Sequence, residues 1–208
     1  FALLSAAALD VAEADERGTV DVVHAHDWQA GLVPLLLRTD PRRWPRLSAA
    51  GLVFTVHNLA YQGLFPRETV PALGLPWEVF GVDGGEFWGQ LSFLKTGVQF
   101  SDVVTTVSPS YARETRQTEF GCGLEGVLSA RGDRYLGILN GIDTDVWNPA
   151  ADPRLPEPYD AAHLAGKRAC KRALLERFRL PVGDDALDRP LVGMVSRLVD
   201  QKGLDLIA

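Results

Sequence analysis

Residues 51–65 read Gly51-Leu52-Val53-Phe54-Thr55-Val56-His57-Asn58-Leu59-Ala60-Tyr61-Gln62-Gly63-Leu64-Phe65, and they carry the clearest signal of the fold class in the chain. Its first six residues form a short apolar run rich in β-branched and aromatic side chains, which is typical of a parallel strand covered on both faces. His57 follows at the point where that strand ends. In open α/β sheets, ligands bind beyond the carboxyl ends of the strands, so we expect His57 to face a ligand. The alternative is a histidine that only satisfies a buried backbone group.

Three further apolar runs repeat this pattern along the chain. Asp27 follows the first of them as a natural cap for a helix over residues 28–38. Asn140 follows the last, so a second polar residue emerges at a strand end. The alternation of strands with helices implies a parallel, doubly wound α/β sheet. The predicted strands are residues 20–26, 51–57, 102–107 and 135–139.

A proline cluster divides the chain into two predicted domains. Residues 148–160 hold four prolines and are interpreted as the connection between domains 1–147 and 161–208. In the first domain, residues 86–100 predict a helix with an apolar stripe. In the second, residues 161–180 predict a helix with a solvated basic face, and residues 191–196 predict a strand.

The composition excludes several classes of protein. The 208 residues are 46 % hydrophobic and carry a formal net charge of -6, which indicates a globular protein and argues against a nucleic-acid or anionic-membrane partner. No apolar run is long enough to predict a membrane span. Cys122 and Cys170 form no CxxC motif, so neither a zinc site nor a disulfide framework is predicted. A reducing, cytoplasmic setting is expected, with a plastid as the alternative.

Two motifs suggest other functions. Residues 121–126, Gly-Cys-Gly-Leu-Glu-Gly, match the dinucleotide-binding pattern by letter, but no predicted strand precedes them directly, so we reject that interpretation. His24 and His26 would share one face of a strand beside Asp27, as metal ligands can. Since the chain holds four histidines and His163 lies in a distant helix, a metal-dependent hydrolase is the weaker alternative.

Arg197 and Lys202 could bind phosphate. A guanidinium fork and a lysine point charge suit two phosphate groups, and the segment from Gln201 predicts the start of a helix whose N–H end adds positive potential. The other interpretation is a pair of surface charges.

Taken together, these stretches closely resemble the bacterial glycogen synthase and plant starch synthase family. The resemblance covers almost the whole chain in the family's order, and it implies a GT-B fold of two Rossmann-like domains facing each other across a cleft. It also implies transfer of glucose from ADP-glucose to the non-reducing end of an α-1,4-glucan with retention of configuration and no metal. The matching segments are residues 21–31, 54–63, 92–95, 107–114, 123–126, 139–143 and 195–203.

The resemblance also implies roles for individual residues. His57 and Asn140 would hold the transferred glucose, with Asn58 among the substrate-binding residues. Asp27 would lie beside glucose and acceptor, and Trp28 could offer an apolar wall. As further catalytic residues, Arg197 and Lys202 would bind the donor phosphates and stabilise the departing ADP.

Three further points concern the missing parts of the site, the alternative functions and the oligomeric state. Both ends of the chain look cut, and the family's glycine loop and its later glutamate are expected upstream and downstream, so this piece alone is expected to be inactive. A related GT-B transferase using UDP-glucose or another acceptor is the main alternative, and a metal hydrolase or a non-catalytic glucan-binding protein is the other. Oligomeric state is left open.

Overall fold

The structure is a computed structural model that describes residues 1–207. It divides into two compact units, Phe1–Asn140 and Gly141–Ala208. The proline-rich segment 148–160 lies inside the second unit, and its role as an interdomain connection stays a prediction. In the described residues, no helix combines the length and the apolar character needed to cross a membrane.

The first unit is built on a four-stranded, fully parallel sheet with the strand order β1-β2-β6-β7. All four strands were predicted: β1 ends at the predicted residue, and the other three end one or two residues before the predicted end. The register places His26 opposite Thr55, and Thr55 opposite Thr105. The strands are β1 Val22–His26, β2 Gly51–Val56, β6 Val103–Thr106 and β7 Tyr135–Gly137.

The two faces of this sheet differ in chemistry because side chains alternate along each strand. One face carries Phe54 and Val104, which are fully buried. Helix α4 (Phe93–Phe100) packs directly on this face at Gly97, where an added Cβ would lie 2.3 Å from Phe54 Cζ. The other face carries His24, His26, Thr55 and Thr105, so the sheet presents a polar surface there. The other helices of this unit are α1 Ala2–Ala14, α2 Leu32–Thr39, α3 Thr69–Ala72, α5 Pro109–Glu114 and α6 Glu125–Ala130.

The predicted helix over residues 86–100 is wrong in its first half. Residues 86–92 form a β-hairpin, and only Phe93–Phe100 is helical. Trp88 and Gly89 have φ values of 50° and 80°, which is the type I′ geometry of a two-residue hairpin turn and is incompatible with a right-handed helix. The hairpin belongs to a separate antiparallel sheet, ordered β3-β5-β4, that was not predicted. Its strands are β3 Leu64–Pro66, β4 Glu86–Phe87 and β5 Gln90–Ser92.

The second unit contains helices α7 (Ala165–Arg177) and α8 (Asp184–Asp188). Helix α7 confirms the central part of the predicted helix 161–180, and Arg168 on its basic face bridges Asp188 at 2.5 Å. The predicted strand 191–196 is not formed, because a strand needs a partner for its N–H and C=O groups and residues 141–207 contain no other strand. The predicted helix from Gln201 is also not formed: two 3₁₀ turns, Asp200–Lys202 and Leu204–Leu206, flank Gly203, whose φ is 64°.

Candidate active site

Asp27 and His57 meet where the two neighbouring strands β1 and β2 end. Asp27 Oδ1 accepts a hydrogen bond from the backbone N–H of His57 at 2.8 Å, and Asp27 N donates to Thr55 O at 2.9 Å. The sequence predicted that the Asp27 carboxylate caps the following helix, and this prediction is wrong. The next residues form a 3₁₀ turn with no side-chain cap from Asp27. Asp27 has φ 55°, a conformation that costs a non-glycine residue free energy, so the surrounding contacts hold it in place.

The His57 imidazole is exposed and has one imidazole partner. His57 Nε2 lies 3.0 Å from His26 Nδ1, and the two rings are stacked with centroids 5.3 Å apart. One of these nitrogens carries the shared proton and the other accepts it, so the pair fixes the orientation of the His57 ring and couples its tautomer to that of His26. His57 thus lies exposed at the end of β2, at the position that the sequence predicted, and its role toward a ligand stays a prediction.

A polar network continues from this pair through the exposed His24 to two threonines of the sheet. The His24 ring stacks on His26 with centroids 4.2 Å apart, and His24 Nε2 lies 2.7 Å from Thr55 Oγ1. The Thr55 hydroxyl lies 2.6 Å from the buried Thr105 hydroxyl on the next strand. Burial, followed by the nearby His26 and His57 rings, lowers the pKa of His24, so this ring favours its neutral form.

Asn58 and Trp28 lie beside the strand ends in different surroundings. Asn58 shapes its own loop, since its Oδ1 accepts from Ala60 N at 3.1 Å. Trp28 is half-buried and packs edge-on against Phe1 with ring centroids 4.6 Å apart. Gly63 makes this packing possible, because an added Cβ would lie 2.3 Å from Trp28 Cε3. Their roles toward a substrate stay predictions.

Asn140 follows β7 and is exposed. The chain leaves the sheet after Ile138, whose N–H still donates to Thr106 O at 2.7 Å. Because all four strands run parallel, the residues that follow β7 lie at the same edge of the sheet as Asp27 and His57.

In the second unit, Arg197 and Lys202 are both exposed. Val199 links them: its N–H donates to Arg197 O at 3.0 Å, and its carbonyl accepts from Lys202 N at 2.9 Å. These backbone bonds form a tight turn that carries both cations. Because two 3₁₀ turns replace the predicted helix, no helix N-terminus adds positive potential beside Arg197 and Lys202 in the described residues, and phosphate binding would depend on these two side chains alone.

The described residues provide no set of metal ligands for the alternative of a metal-dependent hydrolase. Within residues 1–207, no group of three or more His, Cys, Asp or Glu side chains is arranged to hold a metal ion. The His24 and His26 imidazoles do share one face, as predicted, but His24 bonds Thr55 and His26 bonds His57. The rejected dinucleotide motif also follows helix α5 and no strand: its first four residues lie in the loop before α6, and its last two, Glu125 and Gly126, begin that helix.

Sequence reasoning missed the contact of His26 with His57 and the support beneath it. Their closeness depends on the register of β1 against β2, which places His26 opposite Thr55, two residues before His57. The alternation of polar residues in 24–26 and 55–57 was the available signal, since both pairs point to one face of the sheet.

Comparison with solved structures defines the class of protein. The chain superposes with a TM-score of 0.86 and 37 % sequence identity on the catalytic domain of starch synthase IV from Arabidopsis thaliana bound to ADP and acarbose, and the match covers 99 % of this chain and 42 % of that one. Together with the parallel sheet and the polar residues at its strand ends, this likeness places the chain in the GT-B class of glycosyltransferase folds.

The sequence narrows the class to one family. Residues 1–130 match the profile of the starch synthase catalytic domain, and the chain belongs to that family. It is 53 % identical over 187 residues to glycogen synthase of Opitutus terrae, covering 90 % of this chain and 38 % of the relative. It is 49 % identical over 210 residues to glycogen synthase 1 of Methylococcus capsulatus, covering 100 % of this chain and 41 % of the relative. The chain thus spans about two fifths of the length of these relatives.

Proposed function

We propose that the complete protein transfers glucose from ADP-glucose to the non-reducing end of an α-1,4-glucan, with retention of the anomeric configuration. The observation that carries this proposal is the strand-end site of Asp27 and His57, found in a chain that belongs to the starch synthase catalytic domain family. ADP bound to the related starch synthase IV supports an adenosine diphosphate leaving group.

In this proposal, the first unit holds the transferred glucose. The exposed His57 imidazole, oriented by His26, and the Asn140 amide would bond the sugar hydroxyls. Asp27 would keep the His57 backbone in place, so that the carbonyl of His57 faces the anomeric carbon. Such fixed dipoles stabilise positive charge that develops at that carbon without having to reorganise during the reaction.

The second unit would hold the departing diphosphate. When the bond between the anomeric carbon and the phosphate oxygen breaks, its electron pair leaves with ADP. The glucan 4-hydroxyl then bonds to the anomeric carbon on the face that ADP leaves, and its proton passes to the departing phosphate oxygen. Arg197 and Lys202 would stabilise the charge on ADP, which is the work that a metal ion performs in many phosphate-transfer sites. We therefore expect activity without a divalent cation.

One assay tests the proposal. The complete enzyme is incubated with glycogen and ADP-glucose, and the release of ADP and the growth of the glucan are followed, with UDP-glucose as the competing donor. We expect transfer from ADP-glucose in the presence of a chelator. Exclusive use of UDP-glucose would show that ADP-glucose is not the donor. Hydrolysis of the donor without glucan growth would refute the proposed transferase activity.

A further inference from the structure

Trp88 combines two costly features. It occupies the first central position of the type I′ turn with φ 50°, where asparagine or glycine is favoured, and its side chain is 82 % exposed. Bulky residues rarely adopt positive φ, and a large exposed indole gains little from folding. Strained residues of this kind cluster at ligand-binding positions. Neither feature is explained by the site at His57.

The hairpin that carries Trp88 is held from several sides. Glu86 Oε1 accepts from Gly89 N at 2.7 Å across the turn. The buried Lys95 ammonium donates to Val82 O and Glu86 O, each at 2.7 Å, and so anchors the base of the hairpin. The indole is therefore presented on a fixed backbone, and ordering it on binding would cost little conformational entropy.

The glycine loop 121–126 supports the hairpin from the other side. Gly123 has φ 82°, and a Cβ there would lie 2.9 Å from Phe87 Cζ and 3.4 Å from Trp88 Nε1. The same loop bonds the segment that follows His57, since Gln62 Nε2 donates to Cys122 O at 2.8 Å. The motif that resembles a dinucleotide fingerprint thus connects the Trp88 hairpin to the loop after β2.

A cavity of about 450 Å³ opens beside the indole. Its lining combines Trp88 and Phe87 with the side chains of Asp83, Glu86 and Gln99. An aromatic face next to hydrogen-bonding side chains suits a sugar ring, whose axial C–H face is apolar and whose edge carries hydroxyls. Carboxylates accept hydrogen bonds from such hydroxyls.

We propose that Trp88 and this cavity bind an α-glucan chain at a subsite separate from the His57 site. This inference rests on the proposed function for the choice of glucan as ligand. Trp77 provides a contrast, because it is 54 % exposed but its ring already stacks on Phe80 with centroids 5.4 Å apart and an interplanar angle of 12°. Trp77 therefore serves as the matched control.

The test uses the complete enzyme and measures glycogen affinity and melting temperature. Trp88→Asn should weaken glycogen binding about five- to tenfold, while the melting temperature stays equal or rises, because asparagine tolerates positive φ. Trp88→Phe should retain most of the affinity, and Trp77→Ala should leave it unchanged. A purely structural Trp88 predicts the reverse: a lower melting temperature for Trp88→Asn with unaltered affinity.

The outcomes also separate this inference from the proposed function. If the wild-type enzyme transfers glucose to glycogen but Trp88→Asn binds glycogen as tightly as wild type, the Trp88 subsite alone is refuted. If the wild-type enzyme binds glycogen and Trp88→Asn loses that binding without any transfer by either protein, the subsite stands and the proposed transferase is refuted.

Discussion

The Asp27 carboxylate accepts a hydrogen bond from the backbone N–H of His57 at 2.8 Å and so joins the ends of two neighbouring parallel strands. Asp27 adopts φ 55° to do so. The carboxylate and the backbone conformation can be separated by mutation, because glycine tolerates this φ and alanine does not.

We expect Asp27→Ala and Asp27→Gly both to lower turnover of the complete enzyme about 10- to 100-fold. The reason is that each variant loses a hydrogen bond to a charged group, which is worth roughly 1.5–3 kcal/mol. Asp27→Gly should be more stable than Asp27→Ala by about 1 kcal/mol, since it relieves the strain. Steady-state kinetics and thermal unfolding check both points. Wild-type turnover in either variant, or a less stable glycine variant, would contradict the role given to Asp27.

The His26 imidazole should act as a positioning residue for His57. His26→Ala removes the partner of His57 Nε2, and a neutral hydrogen bond of about 0.5–1.5 kcal/mol predicts a loss of turnover of about 2- to 12-fold. His26→Asn keeps a polar atom near the position of Nδ1 and should recover part of that loss. His163→Ala, whose ring bonds Asp160 in the second unit, is the control. Equal turnover in His26→Ala and wild type would remove His26 from the site.

The sequence predicted the parallel sheet because its strands are short apolar runs that end on polar residues. This signal is local and needs no knowledge of partners, so residues 51–56 and 103–106 emerged correctly. It also predicted that His57 would follow a strand end, and the structure places His57 there. The hairpin at Trp88 was not predicted from the sequence. Its turn uses a tryptophan where asparagine is expected, and the spacing of its apolar residues resembles that of a helix.

Other features depend on contacts that a single sequence does not display. The His26–His57 bond requires the register of two strands, and the Asp27 bond to His57 requires the unusual φ of Asp27. Residues 191–196 have the composition of a strand, yet strand formation also needs a neighbouring strand, which residues 141–207 do not supply.

Arg197 and Lys202 should affect the chemistry of the donor more than the binding of glucan. Arg197→Ala or Lys202→Ala is expected to lower turnover about 10²- to 10³-fold, by analogy with the loss of one donor to a developing anion. Glycogen affinity should change little in either variant. Arg177→Ala, on an exposed position of α7, controls for lost surface charge. Unchanged turnover in both variants would refute phosphate binding.

The three-histidine cluster should make stability fall in mild acid. The pKa of His24 is lowered by burial and by the neighbouring His26 and His57 rings, whereas its ordinary value is 6.5. Below that pH the unfolded chain binds more protons than the folded one, so the free energy of unfolding declines as pH falls toward the lowered pKa. His24→Gln should flatten this decline in unfolding measurements between about pH 7.5 and 5. An identical slope in His24→Gln and wild type would show that His24 is not the titrating group.

In the proposed reaction, the His57 imidazole at the end of β2 holds the transferred glucose. The decisive measurement of this role is the turnover of the complete His57→Ala enzyme with saturating ADP-glucose and glycogen. We predict a decrease of at least about 10²-fold with ADP affinity unchanged, since the ring acts on the sugar and not on the nucleotide. Turnover close to that of wild type, or an equal loss of ADP binding, would contradict this assignment.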